Sequence, residues 1–212
     1  MPKLIFFDFD GTLAESAQIK TGAFGKLFEN TGKRDEIVRY HLANAGVSRY
    51  EKFDYIYKNI LGEPLSAQKK KELGEEFSRI VFEEILKAPM VKGALEFLQK
   101  HCKSDRLYVV SSTPHAELLE ILEKRNLKKY FREAVGAPVK KFQSIKDIIA
   151  KEGAGADDAV MVGDSTEDMK AAQIAGVRFV GRICEKESAN FPAGTPTIDD
   201  LTELDEALDG VF

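Results

Sequence analysis

The chain has 212 residues, of which 43% are hydrophobic and 31% are charged, and its formal net charge is −4. This length suits one good-sized domain, or a domain with an insertion. The charge balance implies no overall attraction to nucleic acid or to an anionic membrane, so we expect neither as a partner. No stretch is long and apolar enough to span a bilayer, and Asp8 and Asp10 interrupt the apolar run at the N-terminus, which argues against a signal peptide. Cys102 and Cys184 are too few for a disulfide framework, so we expect a cytoplasmic protein.

Apolar runs along the chain alternate with amphipathic segments. Strands are predicted at 3–7, 107–110, 159–162 and 177–180, with a weaker candidate at 131–135. Helical spacing of apolar residues occurs at 91–101, 115–126, 142–152 and 165–175. The strand candidates are continuously apolar, which is typical of parallel strands that are covered on both faces. The pattern therefore predicts an α/β fold with a doubly wound parallel sheet.

The segment 15–88 breaks this alternation, because it contains helix-period stretches and no convincing strand. We therefore predict a helical insertion between the first and second strands. The remaining ranges, 1–14 and 89–212, form the predicted α/β core. Hinges between insertion and core are expected near 13–17 and 88–91.

Polar side chains follow several predicted strands where each strand ends. They are Asp8, Asp10 and Thr12 after the first, Ser111, Ser112 and Thr113 after the second, Asp164 and Asp168 after the fourth, with Lys140 and Lys141 before an intervening helix. Ligands of open α/β sheets bind at the carboxyl ends of the strands. Each group alone has a structural alternative, since Asp164, for example, could cap a helix. Together they predict a site in which a cation offsets the repulsion between carboxylates.

These residues resemble the motifs of the haloacid dehalogenase superfamily. The matching elements are DFDGT at 8–12, Ser111 after an apolar strand, a lysine at 140 or 141, and GDSTED at 163–168. The resemblance is to the subclass with helical caps, which includes phosphoglycolate phosphatase and β-phosphoglucomutase-like proteins. It implies a Rossmann-like core, with the insertion at 15–88 as the cap domain.

The resemblance implies that Asp8 is a nucleophile that forms an aspartyl phosphate. Asp10 would protonate the leaving oxygen and then deprotonate the hydrolytic water. Lys141 would balance the charge of the phosphoryl group as a further catalytic residue. Phosphate contacts are expected from Thr12, Ser111, Ser112 and the two lysines, Lys140 and Lys141.

A Mg²⁺ site is also implied by the resemblance, because Mg²⁺ prefers oxygen ligands. Its ligands would be Asp8, Asp164 and the backbone carbonyl of Asp10. Asp168 would support the water shell of the metal or the lysine. Between the two adjacent lysines we prefer Lys141, because the apolar residues of the following helix then fall on its buried face.

Substrate selectivity is expected to come from the cap. Gly46 to Arg49 resembles an element found in the caps of sugar-phosphate-handling relatives. Arg49, Lys52 and His41 could approach one face of a helical pair and contact an anionic substrate. The alternatives are that Arg49 pairs with a cap carboxylate, that Lys52 is solvated, and that His41 is a packed helix residue.

The leading functional hypothesis is a monomeric, Mg²⁺-dependent phosphatase of a small phosphorylated metabolite. The alternative is a phosphomutase of the β-phosphoglucomutase type that acts on a sugar phosphate. A non-catalytic binding module is disfavoured, because such a protein is expected to lack the nucleophile or a metal ligand. The sequence does not identify the substrate.

Overall fold

The computed structural model describes residues 3–184 and 191–212 and contains one six-stranded parallel sheet in the order β3-β2-β1-β4-β5-β6. The strands are β1 Leu4–Phe7, β2 Arg106–Pro114, β3 Glu133–Ala137, β4 Ala159–Gly163, β5 Arg178–Arg182 and β6 Thr197–Ile198. The predicted doubly wound parallel sheet is therefore confirmed. The weak candidate at 131–135 corresponds to β3, and the short β6 was not predicted. Residues 1–2 and 185–190 of the predicted core lie outside the described residues.

The insertion between β1 and β2 consists of helices in its described elements. They are α1 Ala17–Leu27, α2 Arg34–Ala43, α3 Arg49–Tyr55 and α4 Ala67–Lys87, and a π-helical segment, Ile56–Leu61, continues α3. Phe24, Phe53 and Phe77 are buried between these helices, with the ring centroids of Phe24 and Phe77 4.9 Å apart. This aromatic cluster holds α1, α3 and α4 together.

Five further α-helices of the described ranges accompany the sheet. They are α5 Ala94–His101, α6 His115–Lys124, α7 Lys141–Glu152, α8 Thr166–Ala175 and α9 Leu204–Val211. The buried residues of α5, α6 and α9 join one hydrophobic cluster, and those of α7 and α8 join the other. The sheet is therefore covered on both faces.

The central strand β1 contributes side chains to both clusters because successive residues of a strand point to opposite faces. Phe6 stacks on Tyr108 with 5.0 Å between ring centroids, and Phe7 meets Phe97 edge-on at 5.9 Å. All four residues of β1 are buried. This explains why the strand reads as a continuous apolar run.

Two linkers join the insertion to the sheet, and they run side by side. Ala14 and Met90 form an antiparallel bridge, and the Glu15 amide donates to the Pro89 carbonyl at 2.9 Å. The larger hydrophobic cluster continues from the sheet into the insertion. The division into two domains at 14/15 and 88/89 stays a prediction. None of the helices in the described ranges has the length and apolar character needed to cross a bilayer.

Candidate active site

Asp8 lies immediately beyond β1, at the carboxyl edge of the sheet. Its backbone amide still donates to the Val162 carbonyl of the neighbouring strand at 3.0 Å, so the sheet sets its position. The chain then turns at Gly11, whose φ is +82°. A Cβ atom at Gly11 would collide with the Asp164 carboxylate. Glycine is therefore required here by both the backbone conformation and the close approach.

Lys141, the first residue of α7, is buried between two carboxylates. Its Nζ lies 2.9 Å from Asp8 Oδ1 and 2.5 Å from Asp168 Oδ1. Burial acts to lower the pKa of Lys141, but Asp168 and Asp8 outweigh it and raise that pKa. Lys141 is therefore a cation at neutral pH. Lys140 lies outside this cluster, where its exposed Nζ pairs with Glu51 at 2.6 Å.

Asp8, the candidate nucleophile, has a raised pKa. Burial, opposed by Lys141, raises the pKa of Asp8 from 3.8 to about 6. Burial also raises the pKa of Asp164, and the charges of Asp8 and Asp168 add to the effect. Two adjacent carboxylates that resist ionisation are typical of a site that lacks enough positive charge of its own.

The donor set fits a magnesium ion. Oxygen atoms of Asp8, Asp164 and Asp168 all lie within 4.8 Å of one another. Asp168 is already engaged, because its Oδ2 accepts from the Ser165 amide at 3.1 Å and from the Ser165 hydroxyl at 2.5 Å, while its Oδ1 faces Lys141. Asp8 and Asp164 would thus be freer than Asp168 to ligate a cation, and Asp168 would support them. Hard carboxylate oxygens are what Mg²⁺ prefers.

Asp10 is surrounded by donors. Its carboxylate contacts Lys20 Nζ and accepts from the Ser16 hydroxyl at 2.7 Å and from the Thr113 hydroxyl at 3.0 Å. Burial acts to raise the pKa of Asp10, but Lys20 and these hydrogen bonds outweigh it and lower that pKa. The side chain is therefore ionised at neutral pH in this arrangement. Lys20 comes from α1, so the insertion reaches the carboxyl edge of the sheet.

The predicted phosphate-contacting hydroxyls occupy different positions. Ser111 is buried, and its Oγ accepts from the Thr113 amide at 3.1 Å. The Ser112 hydroxyl instead donates to the Gly46 carbonyl of the insertion. Thr12 Oγ1 is buried without a hydrogen-bond partner among the described residues. Of the three, Ser111 and Ser112 line the cavity that contains Asp8.

That cavity has a volume of about 340 Å³ and lies between the sheet edge and the insertion. It brings together most of the predicted site residues, namely Asp8, Asp10, Ser111, Ser112, Lys141, Asp164, His41, Arg49 and Lys52. Thr12, Lys140 and Asp168 do not line it. The volume suits a small metabolite.

Arg49 has a partner that the sequence did not indicate. Its guanidinium binds both carboxylate oxygens of Glu117, at 2.7 and 3.1 Å, and Ser78 bridges the two side chains. It also stacks over the Phe77 ring at 4.5 Å. The expected alternative, pairing with a cap carboxylate, is wrong in detail, because Glu117 belongs to α6 beside the sheet.

Lys52 and His41 are both buried and contact each other. Lys52 Nζ lies 3.0 Å from His41 Nδ1, and the His41 ring packs against Phe24 with 4.3 Å between centroids. Lys52 is only 3% exposed, so the alternative of a solvated lysine is wrong. His41 is a packed helix residue that also lines the cavity.

Sequence reasoning missed Lys20 and Glu117. Both lie on amphipathic helices in ordinary polar positions, and neither belongs to a recognisable motif. Their roles depend on partners far away in the sequence, since Lys20 meets Thr113 and Glu117 meets Arg49. No local signal would have found them.

Comparison with known proteins gives a consistent result. Residues 5–182 match the family model described as haloacid dehalogenase-like hydrolase. The chain is 31% identical to a phosphoglycolate phosphatase of Aliivibrio fischeri, over 82% of this chain and 81% of the relative. It is 30% identical to a phosphorylated carbohydrates phosphatase of Thermotoga maritima, over 83% and 82%. A solved structure of a predicted phosphatase from Clostridium acetobutylicum superposes with a TM-score of 0.78 at 19% identity and covers 99% of both chains, which supports the fold.

Proposed function

The chain belongs to the haloacid dehalogenase-like hydrolase family, and from that premise we propose that it is a Mg²⁺-dependent phosphatase of a small phosphate monoester. The observation that carries the proposal is the buried pair of Asp8 and Lys141, 2.9 Å apart at the carboxyl edge of the sheet. A carboxylate beside an ammonium group in such a cavity can attack a phosphoryl group while the cation balances its oxygens. The names of the two relatives support the same reaction class.

In the first step, the Asp8 carboxylate attacks phosphorus, and the bond from phosphorus to the leaving oxygen breaks. With a proton delivered from the protonated form of Asp10 to the leaving oxygen, the products are an aspartyl phosphate on Asp8 and a free alcohol. The pKa of Asp8, raised by burial to about 6, still leaves most of this group ionised at neutral pH. Lys141 and Ser111 hold the phosphoryl oxygens in this proposal.

Asp10 handles the protons in both steps. Ionised beside Lys20, it is suited to take a proton from the water that hydrolyses the aspartyl phosphate. The earlier role, protonation of the leaving oxygen, requires a proton on Asp10, and the Lys20 contact works against that. Lys20 therefore affects the two steps in opposite directions.

Asp8 and Asp164 would hold Mg²⁺, with Asp168 as their support. When bound, the ion would offset the repulsion between the carboxylate and the phosphate and would orient the phosphoryl group. The participation of the Asp10 backbone carbonyl stays a prediction. Asp168 also positions Lys141, at 2.5 Å, which keeps the ammonium beside Asp8.

The test is phosphate release from a panel of phosphate monoesters, measured with Mg²⁺ and with EDTA. Asp8→Asn should abolish release, because the amide is not a nucleophile. Asp209→Asn is the matched control, since the Asp209 side chain is 85% exposed, and it should leave the rate unchanged. Release that survives in Asp8→Asn, or that ignores EDTA, would contradict the proposal.

The phosphomutase is distinguished by its products. If sugar phosphates on the panel are isomerised and no inorganic phosphate appears, the mutase is correct and hydrolysis is not the main reaction. We favour hydrolysis because the sequence offers no second phosphate clamp besides Arg49, and the Arg49 guanidinium is bound to Glu117.

A further inference from the structure

Arg182 lies at the carboxyl end of β5 and is buried, although the proposed reaction does not use it. Its guanidinium donates at 3.0 Å to the backbone carbonyl of Gly11, the residue at which the chain turns beyond β1. The same guanidinium binds both carboxylate oxygens of Glu15, at 2.7 and 3.0 Å. Its Nε donates at 3.2 Å to the carbonyl of Asp199, the residue after β6. One side chain therefore joins the turn after β1, the first linker of the insertion and the chain after β6.

An arginine suits this position because its planar guanidinium presents several N–H donors in fixed directions. Glu15 supplies the counter-charge, so the buried guanidinium is not left as an unpaired cation. The Glu15 amide also donates to the Pro89 carbonyl of the second linker at 2.9 Å. The contacts of Arg182 therefore extend, through Glu15, to both linkers of the insertion.

The Gly11 turn packs against Asp164, one of the two carboxylates that would ligate Mg²⁺. A Cβ atom at Gly11 would lie 2.1 Å from Asp164 Oδ2, so the turn has no room to shift towards that carboxylate. Cys184 contacts both groups, because its Sγ lies 2.9 Å from the Gly11 carbonyl and 3.3 Å from Asp164 Oδ2. Arg182 Nη1 lies 2.9 Å from the same sulfur. Arg182 therefore holds in place two groups that contact Asp164, namely the turn and the thiol.

We propose that Arg182 is a positioning residue of the metal site, which fixes the Gly11 turn beside Asp164 and so raises the affinity of the site for Mg²⁺. The turn also follows Asp10 directly, and the backbone carbonyl of Asp10 is a predicted ligand. The partners of metal ligands orient those ligands, and their loss typically costs about 10- to 100-fold in metal affinity. The inference rests on the proposed function, since it needs Mg²⁺ at this edge of the sheet.

The experiment measures the Kd of Mg²⁺ alone by isothermal titration calorimetry, and urea unfolding gives the stability of each variant. Arg182→Met should raise this Kd about 10-fold, because methionine keeps the apolar bulk and donates no hydrogen bond. Arg106→Met is the matched control. Arg106 begins β2 at the opposite edge of the sheet, where its partly buried side chain pairs with Glu152 at 3.0 Å. Arg106→Met should lower the free energy of unfolding and leave the Kd of Mg²⁺ unchanged.

An unchanged Kd in Arg182→Met would overturn the inference. Equal rises in Arg182→Met and Arg106→Met would also overturn it, because they would reflect lost stability alone. If Arg182→Met does not fold, Arg182→Lys replaces it. Lysine keeps the charge but lacks the fork of donors, so the Kd should again rise.

The phosphatase proposal is judged separately, because Mg²⁺ binding requires no turnover. If the Kd rises in Arg182→Met but the wild type releases phosphate from no ester, hydrolysis alone is refuted. If the wild type releases phosphate and the Kd is the same in Arg182→Met, the positioning role alone is refuted. A wild type that binds no Mg²⁺ would overturn both the metal site and this inference.

Discussion

The ion pair between Arg49 and Glu117 allows a direct test of how the insertion is attached to the sheet. Arg49 lies at the start of α3 and Glu117 in α6, so the pair joins the two parts of the chain. The two side chains are only 4% and 11% exposed. We expect Glu117→Gln to keep the shape of the contact and to remove its charge.

Removal of one partner of a buried pair leaves the other charge uncompensated, which costs about 3–5 kcal/mol. Glutamine still offers one carbonyl oxygen to the guanidinium, and the Ser78 hydroxyl remains 2.6 Å from Arg49, so the loss should fall near the lower end, about 3 kcal/mol. Arg49→Met removes the other charge and retains packing against Phe77. The double variant leaves no stranded charge, so we expect a coupling energy of about 2 kcal/mol.

The assay is urea unfolding followed by circular dichroism and by tyrosine fluorescence, whose coincidence checks for a single transition. The same cycle on Arg79 and Glu76, an exposed pair of the same residue types, should show no coupling beyond experimental error. Additive effects of Arg49→Met and Glu117→Gln would refute the reasoning. Additivity would mean that the pair contributes packing alone.

Three further predictions concern the site itself. In the folded protein the pKa of Asp8 is raised from 3.8 to about 6. In EDTA, the contribution of Asp8 to the free energy of unfolding should therefore be present below about pH 4 and lost as the pH rises through about 6. Across that range, the difference between wild type and Asp8→Asn in urea unfolding should change by up to about 3 kcal/mol. Lys141→Met should abolish phosphate release, whereas Lys140→Met should reduce kcat/KM less than twofold, because Lys140 Nζ is paired outside the cavity. Gly46→Ala should raise KM, because the new Cβ would collide with the Ser165 side chain where the insertion contacts the sheet domain. Gly62 has a similar φ of +70° but open space around it, so Gly62→Ala should lower stability without affecting KM.

Each of these has a contradicting result. A stability difference that does not change with pH would show that Asp8 has an ordinary acidity. Equal losses in the two lysine variants would mean that both hold the phosphoryl group. Matching KM values for the two alanine variants would show that the Gly46 contact is not needed for substrate binding.

The core of the site was predictable because it depends on local sequence and on one rule of sheet geometry. The apolar run LIFF is followed directly by Asp8, and the run VMVG is followed directly by Asp164. Parallel strands that are neighbours in the sheet release their ends at the same edge. β1 and β4 are such neighbours, with Phe7 paired to Val162, so the two carboxylates meet.

Other features depended on tertiary contacts that leave no local trace. β6 is only two residues long and follows a polar stretch of the sequence, so no apolar run marks it. It is a strand because it pairs with β5. β2 extends to Pro114 through a register shift opposite β3, although Pro114 has no amide to donate. Arg49 was recognised as functional, but its partner lies 68 residues away on another helix. Pairing at that distance depends on how the insertion packs on the sheet.

Two ionisable side chains that line the cavity, Asp164 and Lys52, form no ion pair within the described residues. Burial and the charges of Asp8 and Asp168 outweigh the nearby Lys141 and raise the pKa of Asp164, which also accepts a hydrogen bond from the Cys184 thiol at 3.3 Å. Lys52 is buried with a lowered pKa and has no anion among the described residues. Every other charged pair in the cavity discussed above is already matched within the protein. A cation held by Asp8 and Asp164 would lower the pKa of both carboxylates, because a neighbouring opposite charge favours the ionised form.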